Sequence, residues 1–374
     1  MDLTKRMRQE VARMERPQHG GDGWRYSGLE DFSANLNPFG PPPGLQEMLL
    51  AASKQLDHYP DDSSDRFRRA VADHHSLVKE NVVPGVGSSE IIRLFPEVFL
   101  ERGDKVLMPR PTFGEYAFAC RFMGAEVVPF TLPEEDAFRV DVESLLGELD
   151  RSFKAVYLCN PNNPTGMVCP RRQVLELLQE CERLNVIVFL DETLLELLPD
   201  EAKISLSSEV EAHDNLLIIR SLTKSFAIPG LRVGYGLAGK SMAACLERGR
   251  QTWNLGQIEQ EVSAALISDH FHYVRKGAQV LDDEKRRVHQ ELGQFRSLTV
   301  HMPDGFFFFL DLRPVEMTGA GFRERMMEQG VLVRDCRSFG PPFESYVRFC
   351  VKTPEKDALL LKAFRAVLGR EGRA

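Results

Sequence analysis

The chain of 374 residues is 43% hydrophobic and 27% charged, a composition typical of a soluble globular protein with one large and one smaller domain. Its formal net charge of −8 argues against nucleic acid as the main partner, but is compatible with a small anionic substrate held by a few local arginines. No apolar run approaches the roughly 20 residues of a membrane span, so we expect no membrane partner.

The seven cysteines are scattered, odd in number and contain no Cys-x-x-Cys pair. This pattern argues against a disulfide framework and against a zinc site, and it favours a reducing cytosol. We therefore expect a cytoplasmic protein without a metal. The first ten residues have no apolar core or cleavage site, so we expect no secretory signal.

Residues 1–43 are rich in glycine and proline and are predicted to form an arm that packs on the smaller domain. The arm contains His19-Gly20-Gly21 and, further along, a stretch from Asp31 to Gly40 that includes Asn37. By itself, His19 would be interpreted as a histidine of a disordered arm.

From about residue 44 to about 265, helical periodicity alternates with short apolar strands, which is the pattern of a mostly parallel α/β sheet. The predicted strands are Lys105–Pro109, Glu126–Phe130, Ala155–Cys159, Val186–Leu190, Leu216–Arg220 and Val233–Leu237. The predicted helices are Ser88–Leu100, Gly114–Met123 and Arg171–Leu184. Residues 44–265 are therefore predicted to form a large α/β domain.

Residues 266–374 are predicted to form a small α+β domain, entered through interdomain helices that begin near residue 257. Its predicted strands are Leu298–His301, Phe306–Leu310, Val331–Arg334 and Tyr346–Val351. Its predicted helices are Gly321–Gln329 and Pro354–Val367.

Polar residues follow several of the predicted strands of the large domain. Gly87-Ser88-Ser89 precedes a helix, so it is either a phosphate cradle of backbone N–H groups or a glycine turn with a serine N-cap. Asn163 lies in the string Asn-Pro-Asn-Asn-Pro-Thr-Gly after another strand. Asp191 ends a buried strand, where a carboxylate is costly unless paired; the alternative is an N-cap for the next helix. The carboxyl edge of such a sheet is where α/β ligands bind.

The stretch from Arg220 to Tyr235 places Lys224 among hydroxyls and glycines directly after an apolar strand, with Arg232 eight residues later. Burial disfavours the charged form of a lysine, and a neutral amine is what Schiff-base chemistry needs. Arg232 supplies a contact suited to phosphate.

Together, the Asn163 string, Asp191 and the Lys224 stretch resemble the fold-type I pyridoxal 5′-phosphate (PLP) enzymes, in the branch that holds histidinol-phosphate aminotransferases and threonine-phosphate decarboxylases. The resemblance spans nearly the whole chain and implies an aspartate aminotransferase-like fold. It implies that Lys224 and Asp191 are catalytic, since Lys224 bonds to the cofactor and Asp191 pairs with its pyridine nitrogen. The residues implied to hold the cofactor are Tyr59, Gly87, Ser88, Ser89, Phe113, Asn163, Asp191, Ser221, Thr223, Lys224 and Arg232.

The resemblance also implies a homodimer, because Tyr59 matches a tyrosine that reaches the phosphate of the neighbouring subunit's cofactor. Phe113 matches the aromatic residue that stacks on the cofactor ring, although a core residue would look the same. Arg348 matches the arginine that binds the substrate α-carboxylate, against the alternative of a strand arginine that points to solvent. The residues implied to bind the substrate are His19, Asn37, Asn163, Arg334 and Arg348.

The arm, and two positions where this sequence departs from the family's pattern, bear on which reaction is catalysed. His19-Gly20-Gly21 is similar to the opening of the threonine-phosphate decarboxylases of cobalamin biosynthesis, where this segment lies near the substrate phosphate, and Arg334 matches a substrate-phosphate ligand in both branches. Leu194 stands where many family members have a tyrosine, which mildly favours the decarboxylases. Trp253-Asn254-Leu255-Gly256 departs from the decarboxylase pattern and puts the substrate pocket in doubt.

The expected function is PLP-dependent decarboxylation of threonine phosphate, or of serine phosphate, to an amino-alcohol phosphate for the cobalamin nucleotide loop. The alternative is a histidinol-phosphate or related aminotransferase. A non-catalytic PLP-binding regulator is a third reading, but it would normally carry an N-terminal DNA-binding domain, for which 43 residues leave no room.

Overall fold

The computed structural model of the protein describes residues 1–369, which form three β-sheets and thirteen α-helices. The strands are β1 (Glu30–Asp31), β2 (Val82–Val86), β3 (Lys105–Arg110), β4 (Glu126–Thr131), β5 (Phe153–Cys159), β6 (Ile187–Asp191), β7 (Leu216–Ser221), β8 (Val233–Ala238), β9 (Phe307–Asp311), β10 (Val331–Leu332), β11 (Arg334–Asp335) and β12 (Tyr346–Cys350). The helices are α1 (Gln9–Ala12), α2 (Leu45–Ala52), α3 (Asp65–His75), α4 (Ser88–Phe99), α5 (Gly114–Phe122), α6 (Val142–Gly147), α7 (Arg171–Leu184), α8 (Glu201–Ile204), α9 (Leu222–Ser225), α10 (Lys240–Gly249), α11 (Gln257–Leu292), α12 (Gly319–Glu328) and α13 (Pro354–Leu368).

The largest sheet has seven strands in the order β2-β8-β7-β6-β5-β3-β4. Strands β7, β6, β5, β3 and β4 are parallel, whereas β8 runs antiparallel to both β7 and β2. This is the aspartate aminotransferase-like fold with a mostly parallel central sheet, as predicted.

The central strands are mostly apolar because helices cover both faces of the sheet. In β7, alternate residues enter two different cores: Leu216 and Ile218 pack with α7 and α11, and Leu217 and Ile219 pack with α4 and α10. The register aligns Cys159 of β5 with Asp191, and Asp191 with Ile219 of β7. The carboxyl ends of three neighbouring strands therefore lie side by side, at the edge where the polar residues follow.

The C-terminal region contains a three-stranded antiparallel sheet of order β11-β12-β9. The arm adds β1, which pairs with β10, and the Phe32 carbonyl accepts a hydrogen bond from the Cys350 N–H. The single helix α11, of 36 residues, runs through the predicted domain boundary at residues 265 and 266. The division into an arm and two domains stays a prediction.

Three sequence predictions differ from the structure. Residues Leu298–His301 alternate in burial as a strand does, but they form no strand in the described chain. The predicted strand Val331–Arg334 is divided at Val333, because β10 pairs with the arm and β11 pairs with β12. Strand β2 was not predicted, since Pro84 and Gly85 disfavour strands; a proline is tolerated here because β2 is an edge strand.

Within residues 1–369, the structure contains no helix that is both long and apolar enough to cross a membrane. The same residues contain no cluster of histidine, cysteine, aspartate or glutamate that could hold a metal ion.

Candidate active site

A cavity of about 230 Å³ opens at the carboxyl edge of the central sheet. Residues that follow strands of the central sheet, residues of the N-terminal segment 19–35 and Arg348 of the C-terminal sheet all contribute to its walls. Of the predicted site residues, those that line it are His19, Ser88, Phe113, Asn163, Asp191, Lys224 and Arg348. Tyr116, Cys159 and Leu194, which the sequence did not single out as ligands, line it as well.

Lys224 lies in the short helix α9, directly after β7. Its backbone turn is held by the arm: the Asn37 N–H donates to the Lys224 carbonyl at 3.0 Å, and Asn37 Nδ2 donates to the Ser225 carbonyl at 2.9 Å. Burial lowers the pKa of Lys224 to about 8, and the positive charges of Arg348 and Arg232 act in the same direction. The amine is therefore partly neutral near physiological pH, as nucleophilic chemistry requires.

A buried ionic network, centred on Arg220, contacts the turn that carries Lys224. The side chain of Arg220, which is fully buried, contacts Glu192 at 2.6 Å, Glu201 at 2.9 Å and Glu196 at 3.5 Å. Glu196 also accepts a hydrogen bond from the hydroxyl of Ser225, the residue after Lys224. Sequence reasoning missed this network, since glutamates near the start of a short helix are normally solvated.

Asp191 lies at the end of β6 and is 4% exposed. Its Oδ2 accepts from the Tyr116 hydroxyl at 2.5 Å, and its Oδ1 accepts from the Thr193 N–H at 2.8 Å. Burial raises the pKa of Asp191, and these hydrogen bonds oppose the rise. No cationic side chain among residues 1–369 forms an ion pair with it, so a positively charged ligand atom would complete its surroundings.

Arg232 lies with hydroxyl and glycine residues next to Ser88, which lines the cavity. Its Nη1 contacts Thr223 Oγ1 at 3.4 Å and its Nη2 contacts Ser89 Oγ at 3.3 Å. A Cβ atom at Gly87 would lie 2.4 Å from Arg232 Nη2, so a larger residue there would displace the guanidinium from this position. Ser221 is buried beside this group. These partners are neutral, which leaves the charge of Arg232 available to an anion.

Arg348, on β12, is 7% exposed and lies beside Asn163. Its Nη1 donates to Asn163 Oδ1 and its Nη2 to the Ser33 carbonyl, each at 2.5 Å, while its buried Nε has no partner. Burial lowers the pKa of Arg348. A buried cation bonded to neutral oxygens is costly unless an anion pairs with it, and a ligand carboxylate would supply that charge.

His19, from the arm, lines the cavity, and Arg334, on β11, lies in an adjoining recess that it shares with His19, Asn163 and Arg348. His19 Nε2 lies 2.5 Å from Glu115 Oε1, and the His19 ring is 5.4 Å from the Phe113 ring. Arg334 Nη2 donates to the Gln18 carbonyl at 2.6 Å and to Ser338 Oγ at 2.7 Å. Both predicted phosphate ligands therefore lie near each other, since Arg334 bonds to the residue that precedes His19.

Eight predicted residues are not among those that line the cavity: Gly87, Ser89, Ser221, Thr223, Arg232 and Arg334, described above, and Tyr59 and Asn37. Tyr59 is 77% exposed and stacks on Trp253, with ring centroids 4.3 Å apart. Asn37 is buried, and its amide contacts the Ser225 carbonyl and the Phe39 N–H. The substrate contact of Asn37 and the role of Tyr59 in a second subunit stay predictions.

Tyr116 is the main site residue that sequence reasoning missed. It lies on α5, three residues after Phe113, on the buried face of the helix. Its contact with Asp191 spans 75 positions of sequence, so no local pattern reveals it.

The residues around the cavity fit PLP by their chemistry. Lys224 offers a partly neutral amine, Asp191 a buried carboxylate without a cation, and Arg232 a cation without a carboxylate among the described residues. Gly87 leaves room that a Cβ would fill. Asn163 and Phe113 complete the walls with an amide and an aromatic ring.

Comparison with known proteins gives matches over most of the chain. Residues 28–364 match the family model described as aminotransferase class I and II. A histidinol-phosphate aminotransferase of Ruminiclostridium cellulolyticum is 31% identical over 346 residues, covering 90% of this chain and 92% of that protein. A protein of Caldanaerobacter subterraneus subsp. tengcongensis, with the provisional name threonine-phosphate decarboxylase, is 32% identical over 361 residues, covering 96% of each.

Among solved structures, the histidinol-phosphate aminotransferase from Clostridium acetobutylicum superposes with a TM-score of 0.83 at 27% identity, covering 91% of this chain and 99% of that one. The resemblance inferred from the sequence is thus confirmed. Members of the matched family use PLP and are typically homodimers. The chain belongs to the class I and II aminotransferase family and is a PLP-dependent enzyme.

Proposed function

We propose that this enzyme decarboxylates an α-amino acid that carries a distal phosphate, with O-phosphothreonine first and O-phosphoserine second. The observation that carries the proposal is a pair of arginines near one cavity, the buried Arg348 and the half-buried Arg334. Among residues 1–369, each donates to neutral oxygens and forms no ion pair. Two such cations call for a ligand with two anionic groups, here a carboxylate and a phosphate. The product would be an amino-alcohol phosphate, as the cobalamin nucleotide loop requires.

The residues of this chain bind and orient the substrate. PLP, when bound, supplies an aldehyde that bonds to amines and a ring that accepts the electron pair released at the α-carbon. Asp191 stabilises the positive charge of that ring. Arg348 holds the carboxylate, while Arg334 and His19 hold the phosphate. Fixing both ends would select the rotation of the substrate about its α-carbon, and hence which bond of that carbon is broken.

Lys224 transfers the proton at the α-carbon. When the carboxylate leaves as carbon dioxide, its bonding electron pair remains, and the α-carbon must gain a proton in its place. With a pKa of about 8, the Lys224 amine can donate that proton near neutral pH and regain it from solvent. In a transaminase the same amine would instead remove the α-proton.

The aminotransferase reading is the second candidate. It is favoured by the histidinol-phosphate aminotransferases, one 31% identical and one of known structure 27% identical. The decarboxylase reading is favoured by the 32% identical relative, by His19 at the cavity mouth, and by Leu194, which lines the cavity where a tyrosine hydroxyl would otherwise contact the cofactor.

We also propose that the chain forms a homodimer in which Tyr59 reaches the partner's cofactor phosphate. Its exposure, stacked on Trp253 and outside the cavity of its own chain, supports this arrangement.

We further propose residues 1–43, 44–265 and 266–374 as arm, large domain and small domain. The seven free cysteines favour a cytoplasmic location.

The test is to incubate the pure holoenzyme with O-phosphothreonine and measure both products. We expect carbon dioxide and aminopropanol phosphate in equal amounts, and no reaction with Lys224→Ala. Stoichiometric pyridoxamine phosphate without carbon dioxide would refute decarboxylation. Turnover of histidinol phosphate with 2-oxoglutarate would then establish the second candidate. A visible absorption band that borohydride removes, and that Lys224→Ala lacks, reports cofactor attachment separately from turnover.

A further inference from the structure

A second cavity, of about 340 Å³, adjoins the active-site cavity and shares His19 and Ser33 with it. We call it the outer cavity. Its charged lining, apart from His19, consists of four arginines and two aspartates: Arg25, Arg323, Arg334, Arg337, Asp22 and Asp335. It therefore has a surplus of positive charge, although the whole chain is negative.

The ion pairs of the outer cavity do not neutralise this surplus. Arg337 pairs with Asp335, and Arg323 Nη2 pairs with Asp22 at 3.2 Å. Arg334 and Arg25 form no ion pair within residues 1–369. Two cations are thus left over, in a recess that leads into the substrate cavity.

Arg323 acts on Arg334 through its charge. Burial is the main cause that lowers the pKa of Arg334; Asp335 and Asp22 oppose this effect, and Arg323 adds to it. Arg323 uses Nη2 for both of its hydrogen bonds, with Asp22 and with the Tyr26 hydroxyl at 3.1 Å. Its Nε and Nη1 have no hydrogen-bond partner within the described chain, so they remain available to a ligand.

We propose that Arg323 is a specificity-determining residue of the distal anion site, which together with Arg334 selects a phosphate dianion over a singly charged group, and that Asp22 limits the affinity of this site. The inference deepens the proposed function, on which it rests, by naming the charge of the distal group. The Coulomb energy between a second cation and the ligand is proportional to the ligand's charge. At the same position, a doubly charged ligand therefore gains twice the energy of a singly charged one.

A purely structural role for Arg323 gives different expectations. Asp22 and Tyr26 belong to the arm, and Arg323 belongs to α12, so their contacts could serve merely to hold the arm in place. In that case, removing either partner of the Arg323–Asp22 pair loosens the arm in the same way. In the electrostatic role, removing Arg323 weakens anion binding, whereas removing the Asp22 charge strengthens it.

The experiment measures binding of two nearly isosteric probes, methyl phosphate and methyl sulfate, to the holoenzyme at pH 8 by titration calorimetry. Bound PLP keeps the Arg232 site filled. For Arg323→Gln we expect about tenfold weaker binding of methyl phosphate and about threefold weaker binding of methyl sulfate. Asp22→Asn should bind methyl phosphate at least as tightly as the parent enzyme. Arg325→Gln, an equal charge change at an exposed position of α12, should change neither affinity by more than about twofold.

Three results overturn the inference: unchanged methyl phosphate binding in Arg323→Gln, an equal loss for both probes, or a loss in Asp22→Asn that matches Arg323→Gln. Thermal unfolding of each variant confirms that it is folded. The double variant Asp22→Asn/Arg323→Gln separates the effect of the Arg323 charge on the ligand from the effect of losing the Arg323–Asp22 contact. Because no turnover is needed, the outcome is independent of the reaction. Charge-dependent binding without carbon dioxide release from O-phosphothreonine would refute the decarboxylase proposal alone.

Discussion

We expect the Lys224 side chain to lower the free energy of unfolding of the cofactor-free protein. Replacing Lys224 with methionine should therefore raise that free energy. Lys224 is half-buried at the cavity wall, and its pKa falls from 10.5 to about 8, mainly through burial. At about 1.4 kcal/mol per pKa unit, keeping this group protonated costs the folded state about 3 kcal/mol. Methionine has a similar length and carries no charge, so we expect Lys224→Met to unfold with a free energy higher by up to this amount at pH 7.

The sign of the pH dependence follows from linkage. Between pH 8 and pH 10.5 the unfolded chain keeps its proton on Lys224 while the folded chain has lost it, so the stability of the parent protein rises with pH in that window. Below pH 8 the full cost is present. The advantage of Lys224→Met should therefore be constant from pH 6 to pH 7.5 and decline towards pH 10.5.

Urea denaturation of the cofactor-free proteins at several pH values measures this difference. Lys54→Met, at an exposed position, serves as the control and should match the parent at every pH. The reasoning fails if Lys224→Met is less stable than the parent at pH 7, or if the difference between them does not shrink between pH 8 and pH 10.5.

Three further changes test other parts of the site. Arg220→Met leaves buried carboxylates without their cation and should lower the free energy of unfolding by about 3–5 kcal/mol; an unchanged denaturation midpoint would contradict the ionic network. Gly87→Ala places a Cβ 2.4 Å from Arg232 Nη2 at a residue with φ of 67°, so PLP should dissociate at least about tenfold more readily, as measured by equilibrium dialysis. Tyr116→Phe removes a hydrogen bond from Asp191 and should weaken PLP binding by about tenfold while the protein stays folded; equal affinity would show that the Tyr116–Asp191 contact is not needed.

The parts of the site that follow strand ends could be predicted from the sequence. Asn163, Asp191 and Lys224 each come shortly after a run of apolar residues, and parallel strands bring their carboxyl ends to one edge. The structure places all three around one cavity. Local patterns were sufficient because the chemistry of these residues is tied to the strands that precede them.

Contacts between distant elements could not be predicted in this way. The bond between Tyr116 and Asp191 and the pairing of Arg220 with three glutamates depend on how helices dock on the sheet, which periodicity does not specify. Strand β2 was missed for a different reason. Its Pro84 and Gly85 have low strand propensity, and pairing with β8 at the sheet edge overrides it.

The bonds from Asn37 to the Lys224 turn mean that the position of the reactive amine depends on more than the central sheet and its loops. A chain shortened to begin at residue 44 would retain Asn163, Asp191, Lys224 and Arg232, yet it would lose the donors that hold the Lys224 and Ser225 carbonyls. It would also lose the Ser33 carbonyl that accepts from Arg348. The smallest functional unit of this enzyme therefore extends upstream of its sheet, and designs that transplant the sheet with its loops must carry this irregular N-terminal segment with them.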